Sequence, residues 1–213
     1  LVTAAASACA REPVLDGLDL LGPGFFARPV VEVARDLIGC VVERGGCAGV
    51  IVETEAYHQS EPACHAYVGL TPRTRTLFGP PGHAYVYRSY GIHALLNAVC
   101  EPEGVGAAVL IRALAPLAGV ELMYRRRRVA DERELCSGPG KLGQALGVVL
   151  EDNGCNLSCG PIRIFARHPG YRSPVVVAAA RIGISKGRGL PWRFALVGCP
   201  HVSRPRPFAR QSV

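Results

Sequence analysis

The chain has 213 residues, 49% of them hydrophobic, and a formal net charge of +7. That apolar content excludes a disordered protein, and the length suits one domain with a sizeable core. A pI of about 9.1 suits a polyanionic partner without identifying one.

Taken in chain order, the Ala-rich start Thr3-Ala-Ala-Ala-Ser-Ala-Cys-Ala10 is too short for a membrane span and lacks a basic n-region. Residues 1–20 read as a flexible leader, 21–200 as the domain, and 201–213 as a basic Pro/Arg-rich tail with Arg204, Arg206 and Arg210. With no export signal, the expectation is a cytoplasmic, nucleoid-associated protein if bacterial, and a nuclear one if eukaryotic. Pro29 in the first turn and Gly39 at the end frame a helix over Val30–Ile38, with Val30, Val33, Ala34, Leu37 and Ile38 on its apolar side. Cys40–Glu43 and Val50–Ala56 read as neighbouring strands joined through Gly45-Gly46.

The second of these strands carries Glu53-Thr-Glu-Ala-Tyr57. Strand side chains alternate, so Glu53, Glu55 and Tyr57 share one face, with Val52, Thr54 and Ala56 on the other. Buried acids must be paired, hydrogen-bonded, protonated or functional. Alternation fits a solvated strand face as well, and spacing does not separate Glu53 from Glu55. His65 follows eight residues after Tyr57. Acid, ring and imidazole on one small unit suit a site that holds a flat molecule and does acid–base chemistry on it.

Ala84–Ser89 is the next strand, with Tyr85, Tyr87 and Ser89 on one face. Tyr85 reads as core and Tyr87 faces the body. Tyr90-Gly91 signals a turn that leaves Tyr90 exposed at a hairpin tip, as suits a wedge entering a base stack. Ala107–Ala113 is a strand with an odd charge, Arg112. A helix after Pro116 closes on Arg125-Arg-Arg-Arg128, read equally as phosphate contacts or as a helix end complementing the macrodipole. Ser137–Val149 is a helix with Ser137 near its cap. Gly138-Pro-Gly-Lys141 is no phosphate loop, because Leu135 stands where the first Gly belongs and Leu142 follows the Lys. Pro161–Phe165, Val175–Gly183 and Trp192–Gly198 are strands. The nine cysteines read as reduced thiols, with Cys40, Cys100 and Cys199 in apolar settings. Cys155 and Cys159 lack a second pair at zinc-site spacing. There are no repeats and no dividing linker.

With these motifs on the page, the chain resembles the alkyladenine (3-methyladenine) DNA glycosylases. The resemblance runs through Gly24-Phe-Phe-Ala-Arg, Glu53-Thr-Glu-Ala-Tyr57, Thr71-Pro-Arg-Thr-Arg75, Tyr85-Val-Tyr-Arg-Ser-Tyr-Gly91, Asn97, Val109-Leu-Ile-Arg-Ala-Leu-Ala-Pro116 and Leu135-Cys-Ser-Gly-Pro-Gly-Lys-Leu142. It implies an α+β domain with a curved antiparallel sheet, flanking helices and a protruding β-hairpin. It also implies a monofunctional glycosylase, without cofactor or metal, that flips a damaged purine from double-stranded DNA and cleaves its N-glycosidic bond with water. By resemblance Glu55 is the base and Arg112 its partner. Tyr57, His65 and Tyr87 wall the base slot, and Asn97 excludes guanine at its exocyclic amine. Tyr90 is the wedge, and Arg73, Arg75, Arg88 and Lys141 meet DNA, Lys141 at a helix N-terminus. The expected assembly is a monomer away from membranes. The loop His58–Cys64 is about one residue shorter than in animal members, which puts His65's placement in question. His58, His83 and His93 read as structural or solvated. Two other classes stay open: a metal-dependent nuclease using Glu53, Glu55 and His65, and a nucleic-acid (tRNA or DNA) binding module without catalysis.

Overall fold

A computed structural model describes residues 15–207. Most of the leader and Arg210 therefore lie outside the described residues. Eight antiparallel strands form one sheet: β1 (Cys40–Arg44), β2 (Cys47–His58), β3 (Ala84–Ser89), β4 (His93–Val99), β5 (Ala107–Ala118), β6 (Ile162–Arg167), β7 (Val176–Ala179) and β8 (Arg193–Leu196). The order is β3-β4-β5-β2-β1-β6, with β8 also paired to β2 and β7 to β8. Helices α1 (Pro23–Phe26), α2 (Val30–Asp36), α3 (Val120–Arg127) and α4 (Pro139–Leu146) flank the sheet. The architecture is the α+β domain expected. Among the described residues no helix is long and apolar enough to cross a membrane.

The apolar stripe of α2 is buried as its spacing predicts. Pro29, however, is the N-cap and not part of the first turn. It offers no capping side chain, and the Glu101 carboxylate accepts from the Val30 N–H instead, at 3.0 Å. Helix α4 is shorter than Ser137–Val149 and is capped by Gly138. Proline at its first position fixes that start, and Gly147 in a left-handed conformation ends it. Gly143 lets α4 press onto β4, since a Cβ there would lie 2.2 Å from the Ala94 carbonyl oxygen. Strand β7 stops at Ala179, short of the expected Gly183, because its ladder runs out opposite Arg193, the first residue of β8; beyond it the Ile182 N–H donates to a side chain at 2.7 Å.

Strand β2 is the axis of the fold. Its first half pairs with β1 and its second half with β8. Between the halves the ladder with β5 slips twice. Val52 and then Arg112 are left without a partner across it. Each slip is a bulge, and a bulge turns the following side chains to the opposite face. Val52 therefore does not share a face with Thr54 and Ala56, contrary to simple alternation. It packs with Val50, Ala113 and Phe165, whereas Ala56 packs with Ile51 and Ile111 in the main core. Glu53, Glu55 and Tyr57 do share a face, the one to which the second bulge aims Arg112.

Cys40, Cys64, Cys100, Cys136, Cys155, Cys159 and Cys199 are free thiols. Burial pushes the Cys40 and Cys136 thiols up to about 12, so they are neutral packing groups. The segment read as a tail is built into the domain as far as Ser203: Val202 and Ser203 are buried.

Candidate active site

Strands β2 to β5 present side chains to one slot of about 400 Å³, lined by Tyr57, His65, Tyr85, Tyr87, Asn97 and Arg112 among others. That size suits a small planar ligand. Behind it lies a sealed network of charges. Glu53 and Glu55 are both 0% exposed and Arg112 is 6% exposed. The Arg112 guanidinium spans them, donating from Nε to Glu53 Oε1 at 3.0 Å and from Nη1 to Glu55 Oε2 at 3.1 Å. Desolvation alone would lower the Arg112 pKa, but the two carboxylates raise it and keep it charged.

The two acids differ in what holds them. Glu53 accepts from Arg112, from Arg193 Nε at 2.6 Å, and from the Ser203 hydroxyl and N–H at 2.9 and 2.8 Å. Burial would push this carboxyl up, but Arg112 and Arg193 hold it below its ordinary value. Three of these donors converge on Oε1 and the Ser203 N–H meets Oε2, and of the donating residues only Arg112 lines the slot. Glu55 accepts three: the Tyr57 hydroxyl at 2.8 Å, Arg112, and the Ile182 N–H. Glu55 does not itself line the slot, but all three of its donors do. Burial, then Glu55, raises the Tyr57 pKa, so the hydroxyl stays protonated and can donate.

The slot walls are aromatic. His65 meets Tyr87 edge-on with ring centres 4.7 Å apart, and Tyr85 stacks on Tyr87 at 5.4 Å. Burial and then Arg73 lower the His65 pKa, leaving a neutral imidazole at pH 7. Tyr85 was read as core. It is only 3% exposed, yet it lines the slot, and its hydroxyl meets His65 Nδ1 at 3.0 Å. Asn97 is fixed by Nδ2, which donates to the Tyr85 carbonyl at 3.0 Å.

Beyond the slot, Tyr90 is 90% exposed and Ile92 72% exposed at the β3–β4 tip. Tyr90 and Gly91 have φ of 49° and 73°, and the Ile92 N–H closes the turn on the Ser89 carbonyl at 3.1 Å. Positive φ at both central residues is the signature of a type I′ turn, where a bulky residue is an outlier. Such strain concentrates at functional sites. Arg88 braces the tip through the Gly91 carbonyl at 3.3 Å. Arg73 and Arg75 are exposed. Lys141 is paired with Glu134, and its Nζ also reaches the Ser137 hydroxyl at 3.4 Å. In the four-Arg run, Arg126 and Arg127 are spent inside, on the Ala145 and Leu135 carbonyls at 2.9 and 3.0 Å. Arg125 and Arg128 remain exposed. The ligand set of a nuclease does not converge: an arginine stands between the two acids, and His65 is tied to Tyr85.

Sequence reading passed over Arg193 and Ser203, which complete Glu53, and Arg181 and Glu61, an ion pair at 2.7 Å. Arg181 lies in the apolar run Val175–Ile184 as Arg112 lies in its own. The signal that drew attention to one charge applied equally to the other.

A slot that takes a planar group out of water, with an acid behind it and an aromatic prong beside it, meets the needs of an enzyme that works on a nucleobase drawn from its helix. The family model described as methylpurine-DNA glycosylase (MPG) matches residues 24–200. The chain belongs to that family. It is 58% identical over 189 residues to a protein of Rhodopseudomonas palustris (strain BisB18) named "Putative 3-methyladenine DNA glycosylase", covering 87% of this chain and 93% of that one. Proteins of the same name from Rubrobacter xylanophilus and Nitrosospira multiformis are 57% and 50% identical, covering 76% and 84% of this chain and 86% and 92% of theirs.

Proposed function

We propose that the protein flips alkylated purines out of double-stranded DNA into the aromatic slot and hydrolyses their N-glycosidic bond with a water activated by Glu55. The observation that carries this reading is where the donors lie: all three groups that donate to Glu55 line the slot, whereas of those that hold Glu53 only Arg112 does. A purine methylated at N3 or N7 is a cation and a good leaving group, so little acid catalysis is required. What the reaction needs is a base for the water and a negative charge near the sugar as it becomes oxocarbenium-like. Glu55 can supply both, and Arg112 keeps it ionised and aimed. The neutral His65 does not repel the cationic base. Tyr57 and Tyr87 offer phenol rings, each worth about 0.5–2 kcal/mol to a cation over its face, and His65 closes the slot beside Tyr87. Asn97, fixed by its backbone bond, cannot swing aside for the exocyclic amine of guanine. Slot, acids and hairpin all come from one chain, which supports action as a monomer.

Duplexes carrying one lesion at a time test this reading. The expected product is a free base and an unbroken strand with an alkali-labile abasic site, at a rate unchanged by chelator. A borohydride-trapped covalent adduct would overturn the water-only mechanism.

Tyr90 is assigned the vacated place in the stack. Tyr90→Ala should then act through the flipping equilibrium. Unstacking costs a few kcal/mol in a normal pair and less at a mismatch. Single-turnover excision should therefore fall roughly tenfold more for a paired lesion than for the same lesion mispaired or in a single strand. Equal losses in the two contexts would remove the wedge role.

A further inference from the structure

Behind Tyr57 lies a second buried ion pair that the reaction described above does not use. The Arg181 side chain is 0% exposed and that of Glu61 6%. Arg181 Nη1 donates to Glu61 Oε1 at 2.7 Å and to the Ala56 carbonyl at 2.9 Å. Nη2 donates to Glu61 Oε2 at 2.9 Å and to the Gly187 carbonyl at 3.3 Å. Packing here is close: a Cβ on Gly187 would lie 2.8 Å from Glu61 Oε2 and 2.9 Å from Arg181 Nη2. The guanidinium lies over the Tyr57 ring, 4.7 Å from its centre, and 5.5 Å from the centre of Trp192. Tyr57 lines the slot and Arg181 does not, so Arg181 covers the closed face of the ring.

That position matters for the charge of the ligand. A cation on one face of a ring draws on the same quadrupole that a cation on the other face would use, and the two repel directly. Alone, Arg181 would turn the slot against a positively charged base. Glu61 cancels it. The charges behind the slot then balance, with Glu53, Glu55 and Glu61 against Arg112, Arg181 and Arg193. We infer that Glu61 is a specificity-determining residue: by neutralising Arg181 behind Tyr57 it allows the slot to accept cationic purines, and the pair sets the preference between cationic and neutral lesions. This inference rests on the proposed glycosylase reaction. Arg181 is also a positioning residue, since its neighbour Ile182 donates to Glu55.

The test compares single-turnover excision of an N-methylated, cationic adenine with that of neutral hypoxanthine in one duplex context. Glu61→Gln keeps the shape and an acceptor for Arg181 but removes the charge. One uncompensated charge roughly 8 Å from the base is worth about ten- to thirtyfold at an effective dielectric near 20. The cationic-to-neutral ratio should fall by about that factor. The double variant Glu61→Gln/Arg181→Met removes both charges, and should restore the ratio to within about threefold of wild type even where both rates drop. Binding of the same duplexes by proteins that also carry Glu55→Gln gives the ratio independently of chemistry. A purely structural pair would slow both lesions alike. An unchanged ratio in Glu61→Gln, or a ratio left low in the double variant, overturns the inference. A wild-type protein that releases neither base overturns the proposed function instead.

Discussion

Glu55→Gln is expected to reduce excision by about 10³-fold or more, with binding to lesion-containing DNA within a few-fold of wild type. The substitution preserves volume and the acceptor oxygen but removes the charge and the basicity. A neutral amide cannot deprotonate water, and it offers no negative partner to the developing sugar cation. Removing the charge also leaves Arg112 with only Glu53 as counter-ion, at 3.0 Å. Most of the base-binding surface is untouched, because Glu55 does not line the slot. The check is single-turnover excision beside a binding titration on the same duplex. A Glu55→Gln protein that still excises at a wild-type rate, beside a folded but inactive Glu53→Gln, would reverse the assignment.

Much of the fold was legible because it depends on period and punctuation. The α2 stripe, the Gly45-Gly46 hairpin and the Tyr90-Gly91 turn rest on local rules, and the structure has each of them. The glycosylase identity was legible through motifs spread over most of the chain. The electrostatics were not. The double bulge that leaves Val52 and Arg112 unpaired depends on the fit of β2 against β5 and has no local signature. Glu53 and Glu55 look equivalent in the sequence. They differ in the structure because Arg193 and Ser203, 140 and 150 residues further on, close around one of them. Tyr85 was read as core because a buried ring usually is, and the neighbouring His65 that gives its hydroxyl a partner lies on another element.

That division of labour makes Glu53→Gln a test of stability. Glu53 is the shared counter-ion of two buried guanidiniums, and it ties residues 202–203 to the sheet through both donors of Ser203. Removing one member of a buried ion network leaves uncompensated charge and costs about 3–5 kcal/mol. In a domain of this size that corresponds to a fall of roughly 6–20 °C in Tm. Glu55→Gln should cost less, because the Tyr57 and Ile182 donors are neutral and Arg112 keeps Glu53. The pH dependence has a definite sign. Arg112 and Arg193 hold the Glu53 carboxyl below its ordinary value of 4.5 in the folded protein. The unfolded chain therefore binds that proton first as pH falls. The contribution is fully present above the unfolded value, and is lost as pH descends through the depressed folded one. Wild-type stability should then drop below about pH 4.5 more steeply than that of Glu53→Gln, which has no such proton to bind. Urea unfolding at pH 7 and at intervals from pH 5 to 3 measures both effects. A Glu53→Gln protein as stable as wild type at pH 7, with the same acid slope, would show that Arg112 and Arg193 find other partners and that Glu53 is not the structural acid.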